Sequence, residues 1–261
     1  LIELLVVMAV ISILLVLVVP AFKSRKSADD FTRAGYTITA GMEQARTLSI
    51  SKNTYVWLGF YEEDITATTP TTSTAPYVGK GRLVMATVYS KDGTGIYDIG
   101  LSKYSSGSWP LNQPGVGSQK GREPSSTDMI AQFGKIIKID NVHVTDIGSP
   151  TPAPSPSPDS LEARSAMPYS SPSIALSSSN RLNSDSADAT RFQFTVQGYT
   201  FWKTIRFSPR GEARINTNYE YRRVAELGLR PTHGSVVDTN SPNVIAIQFN
   251  AFGGYFKIYR R

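Results

Sequence analysis

Residues 1–22 read LIELLVVMAVISILLVLVVPAF. Glu3 stands almost at the start of this run. From Leu4 to Phe22 there is no charge, and Ser12 is the only polar side chain. As a helix, this stretch would reach about 28 Å, close to the hydrocarbon thickness of a bilayer. A carboxylate at the mouth of such a segment is expensive to bury. It therefore sits at headgroup level or pairs with a positive charge supplied by something else. Lys23, Arg25 and Lys26 follow directly and suit a membrane interface. The run is too long for the apolar region of an ordinary secretory signal, and no small-residue cleavage site follows it, so it is expected to stay in the mature protein.

Outward from this run the period becomes helical. Phe31, Ala34, Ile38, Met42, Ala45 and Leu48 recur at steps of three or four and make one apolar stripe. Residues 1 to about 52 then read as one long helix, apolar all round over 1–22 and amphipathic over 23–52. Pro20 is expected to break or loosen it, because proline removes a backbone donor and clashes with the preceding turn.

After Asn53 the pattern is strand. TYVWLGFY (54–61) and RLVMATVYS (82–90) are the clearest, with shorter candidates at 95–101, 135–139 and 142–145. Strands resume at 191–197, 200–207, 243–250 and 254–261, and 219–227 reads as a short helix ending at Gly228. Residues 66–76 and 105–128 read as loops. Residues 149–190 hold 13 Ser and 7 Pro in 42 positions, which predicts solvated, polyproline-like chain and hence a surface loop. The expected fold class is α+β: a long N-terminal helix packed on a C-terminal antiparallel β domain (53–261) with a Ser/Pro-rich insertion at 149–190.

The charge is uneven. Residues 1–190 carry 16 Lys/Arg against 17 Asp/Glu, and residues 191–261 carry 11 against 4. A basic C-terminal third serves solubility or attracts nucleic acid, acidic polysaccharide or anionic headgroups. Cysteine is absent, so thiolate metal sites and a Cys nucleophile are excluded.

His143 and His233 lie far apart in sequence without an adjacent acid cluster, and both read as surface or turn residues. Ser49 and Lys52 match S-x-x-K without its companion motifs. Asp92 and Asp98 flank glycines and could hold a calcium ion, although a plain β-turn is the simpler reading. No phosphate-binding loop or nucleophile elbow occurs. The chain is expected not to be an enzyme and to need no cofactor.

LIELLVVMAVISILLVLVVPAF closely resembles the N-terminal helix of type IV pilins and type II secretion pseudopilins. The resemblance implies a short basic leader removed by a prepilin peptidase, methylation of the new N-terminus, and two further mature residues before Leu1. Glu3 matches the family glutamate that pairs with the N-terminal amine of a neighbouring subunit, and Pro20 matches the family proline. Residues 42–60, IRFSPRGEARI (205–215) and the strands closing the chain resemble the minor pseudopilin H and FimT branch. Some FimT members bind DNA through a Gly/Arg-rich tail. Here Lys257, Arg260 and Arg261 stand in that region as candidates for an anionic ligand, with Tyr255 and Lys257 where arginines would be expected.

The resemblance implies a structural subunit of a filament. Its partners would be copies of itself, an inner-membrane assembly platform and the prepilin peptidase. It would rest in the inner membrane before assembly and then join a periplasmic or extracellular filament. Two alternatives stay open: a low-copy minor pseudopilin of type II secretion, and a minor pilin that uses the basic C-terminal third to bind DNA or glycans.

Overall fold

In the run Val56–Asp64 nearly every side chain is buried, which requires a strand covered on both faces. The computed structural model of the protein supplies both covers. It describes residues 2–66, 79–93, 95, 130–148, 157–165, 181–184, 192, 194–215 and 224–261, with the side chains of 16–27 left out. The elements are α1 (Ile2–Ser51), β1 (Val56–Asp64), β2 (Gly81–Ser90), β3 (Ile130–Asp140), β4 (Val142–Thr145), a 3-10 turn at Leu161–Ala163, β5 (Arg181–Leu182), β6 (Phe194–Val196), β7 (Tyr199–Phe201), β8 (Lys203–Phe207), β9 (Ala213–Ile215), β10 (Ala225–His233), β11 (Val236–Val237), β12 (Ile245–Phe249) and β13 (Phe256–Arg260).

The first sheet runs β3-β2-β1-β8-β9, and every pairing in it is antiparallel. The second runs β11-β10-β12-β13, with β4 and β5 also paired to β10. The third is the hairpin β6-β7. The alternation of strand side chains sorts the cores. Val56, Leu58 and Phe60 face a core shared with Leu227, Leu229, Ile245 and Ile247 of the second sheet. Phe31, Ala34, Ile38, Met42, Ala45 and Leu48 of α1 enter the same core. Each large side chain buried there contributes about 1.5–3 kcal/mol.

Trp57 and Tyr61 face the other way, into a second core with Phe192 and with Phe194 and Phe201 of the hairpin. Gly59 lies between them. A Cβ on it would stand 2.6 Å from both Phe194 Cζ and Phe201 Cβ, so the hairpin rests directly on the backbone of β1. Glycine is what permits that approach.

The expected architecture is corrected. The described side chains of α1 fall in two short stretches, 2–15 and 28–51, and strand in three sheets dominates the rest. Among the described residues there is no long apolar helix lying on a sheet. The sheets cover the stripe from Phe31 to Leu48, whereas the side chains of 2–15 are exposed. Hydropathy does not tell the packed stretch of α1 from the exposed one, because an apolar run has no polar face to mark where packing stops.

Three local readings also change. Residues 225–227, expected to close a helix, begin β10, and Gly228 is interior to that strand. A Cβ at Gly228 would meet the Thr145 carbonyl oxygen of β4 at 2.3 Å, so this glycine serves close strand approach and not a helix end. The run 200–207 divides at Trp202, where the chain passes from the hairpin to the first sheet. Finally, the 149–190 stretch is not only surface loop: Leu161, Arg164, Leu182 and Ser184 are buried, and β5 pairs with β10. The readings at 66–76, 95–101 and 105–128, and the Asp92–Asp98 turn, lie largely outside the described residues.

Candidate functional site

The feature least explained by the fold is the start of α1. Between Ile2 and Leu15, eleven large apolar side chains are 46–80% exposed. They surround the helix and do not form a stripe, so no rotation of the helix could bury them all on one sheet. A contiguous apolar surface of this kind marks contact with another molecule. Glu3 lies in the first turn of α1 and is exposed. A carboxylate there meets the positive end of the helix dipole. Pro20 falls in 16–27, outside the described side chains. Among the described residues, no helix is long and apolar enough to cross a membrane.

The three C-terminal cations lie on or beside β13. Lys257 Nζ donates to the Pro158 carbonyl at 2.9 Å and stands 3.7 Å from an Asp159 carboxylate oxygen. Arg261 lies 3.6 Å from Glu162. The Arg260 backbone N–H donates to the Asp159 carbonyl, and its side chain is exposed. The segment 157–162 therefore gathers all three positions, and two acids answer two of the cations.

Sequence reading missed three buried carboxylates. Glu62 of β1 and His143 of β4 are both almost wholly buried, with His143 Nδ1 2.8 Å from Glu62 Oε2. The Val144 N–H donates to Glu62 Oε1 at 2.6 Å, and Ser184 bonds the carboxylate too. Burial pushes the Glu62 carboxyl above its usual range, against the pull of these partners. His143 is thus a core residue that ties the first sheet to the second, which corrects the surface reading.

Glu63, the next residue, faces the opposite side of β1. The Tyr199 hydroxyl donates to it at 3.0 Å and accepts from Lys138, and Arg82 lies 3.1 Å from Glu63 Oε2. Glu226 of β10 is held by Arg164 at 3.2 Å, by Gln248 at 2.9 Å and by Arg181 at 3.8 Å. Burial raises its carboxyl as well, and the two arginines and Gln248 oppose the rise. The only sequence signal for these sites was polar residues inside apolar strand runs, with partners many residues away.

These clusters join separate strands through ion pairs and hydrogen bonds and read as fold-closing contacts. Among the described residues no group of three or more His, Asp or Glu could hold a metal ion. No family model, no curated protein and no solved structure matches the chain.

Proposed function

We propose that the chain is a structural subunit of a type IV pilin-like filament, and that residues 2–15 of α1 are its assembly element. The observation that carries this reading is the apolar surface of that segment, exposed on all sides and headed by a single carboxylate. Copies of the segment packed together would bury that surface, at about 1.5–3 kcal/mol for each large side chain. A buried Glu3 then needs a positive partner, and the N-terminal amine of a neighbouring subunit would supply one.

On this reading the apolar segment rests in the inner membrane after prepilin peptidase processing and before extraction by an assembly platform. The β-rich body forms the outer surface of a periplasmic or extracellular filament. The reading is tested by Glu3→Ala in the native cells, with membrane fractionation and filament yield as readouts. The variant should insert normally and assemble little or no filament. Filament yield equal to that of the parent chain would overturn the pairing.

A further inference from the structure

A half-open cleft of about 300 Å³ lies on the second sheet's outer side. The segment 157–165, the chain between β11 and β12, and the C-terminus frame it. Its charged lining is Arg164, Arg230, Arg261 and Glu162. These charges do not cancel. Arg164 is answered within the fold by Glu226, which leaves Arg230 and Arg261 against the single carboxylate of Glu162, 3.6 Å from the exposed Arg261. Arg230 is held by the Thr239 carbonyl at 2.8 Å, which is a neutral partner, so its positive charge remains in the cleft.

The rest of the lining has two characters. Thr239, Asn240 and Ser241 present hydroxyl and amide groups, whereas Ile147, Pro242 and Val244 make an apolar wall. The chain carrying the polar groups is braced: Asn240 N–H donates to Asp238 Oδ1 at 3.1 Å, and Asn243 N–H to Ser241 Oγ at 3.2 Å. A guanidinium fork suits a carboxylate, the hydroxyl and amide groups suit sugar hydroxyls, and the apolar wall suits the C–H face of a pyranose ring. We infer that this cleft binds the carboxylate-bearing sugar unit of an acidic polysaccharide, with Arg230 and Arg261 on the carboxylate.

This assignment does not depend on the filament reading, because the cleft is complete within one copy. The test is calorimetric titration of the full chain, in detergent micelles, with D-glucuronate, D-glucose and inorganic sulfate. Glucuronate should bind saturably and weaken as salt rises, with glucose and sulfate at least about tenfold weaker. Arg230→Gln and Arg261→Gln should each lower glucuronate affinity about tenfold. Lys135→Gln, on the exposed face of β3 in the first sheet, should change nothing. Arg261 is terminal and exposed, so its variant keeps the test valid if Arg230→Gln disturbs the fold. Absent glucuronate binding, equal binding of sulfate, or unchanged affinity in a folded arginine variant would overturn the assignment.

Discussion

His143 Nδ1 lies 2.8 Å from Glu62 Oε2, joining β4 of the second sheet to β1 of the first through a pair that solvent does not reach. Burial raises the Glu62 carboxyl above its ordinary value of 4.5, and Glu226 is raised in the same way. The folded chain therefore holds these protons more tightly than the unfolded chain does. The stability they contribute is present below about pH 4.5 and is lost as pH rises through the raised folded values. Urea unfolding from pH 4.5 upward should show a falling component, at most about 1.4 kcal/mol per pH unit for each proton. Glu62→Gln should remove its share and leave that of Glu226. A pH profile identical in parent and variant would contradict the assignment.

Gly59→Ala forces a methyl group into Phe194 and Phe201, whose rings stack at 4.8 Å. The hairpin must lift from β1 or the strand must bend. The expected loss is about 1–3 kcal/mol. Thermal unfolding of the variant checks it, and an unchanged midpoint would mean that the hairpin does not sit on β1 as described.

Arg46 fastens α1 to two loops at once. Its Nε donates to the Gly211 carbonyl at 3.2 Å and its Nη2 to the Gly253 carbonyl at 3.0 Å. Arg46→Met keeps the aliphatic stem and loses both bonds, at about 1–3 kcal/mol in total. Hydrogen exchange should rise first in the loop 250–254, because Gly254 N–H bonds within it and Arg46 holds it from outside.

Arg164→Met removes one of the two arginines at Glu226 and leaves a buried carboxylate underpaired. The expected loss is about 3–5 kcal/mol. Adding Glu226→Gln should recover part of it, since the orphaned charge goes too. A double-mutant cycle by denaturant unfolding reads the coupling. Strict additivity of the two changes would show that the pair does not interact.

These contacts explain which parts of the fold were legible locally. The stripe Phe31–Leu48 repeats with the helical period, and all six of its residues are buried. The run 54–61 was legible because a strand covered on both faces is apolar without interruption. In the β8–β9 hairpin Ser208 N–H reaches the Glu212 carbonyl, and β9 was not among the strands read from local pattern. β10 holds Glu226, Gly228 and Pro231, each of which reads locally as helix, turn or break. Its identity comes from neighbours: Arg164 and Arg181 for the acid, Thr145 for the glycine, and the short β4 beside the proline. The same limit hid the Glu62–His143 pair, whose members are 81 residues apart. It also let hydropathy run 2–15 into the packed stretch, since local pattern does not reveal how much sheet is available to cover a helix.

Electron microscopy of filaments sheared from the native cells, with mass spectrometry of the purified fibre, tests whether residues 2–15 are an assembly element. The expected result is a helical fibre that contains this chain, with residues 2–15 protected from proteolysis inside it. A fibre without the chain, or a chain whose 2–15 segment stays protease-accessible there, would contradict it.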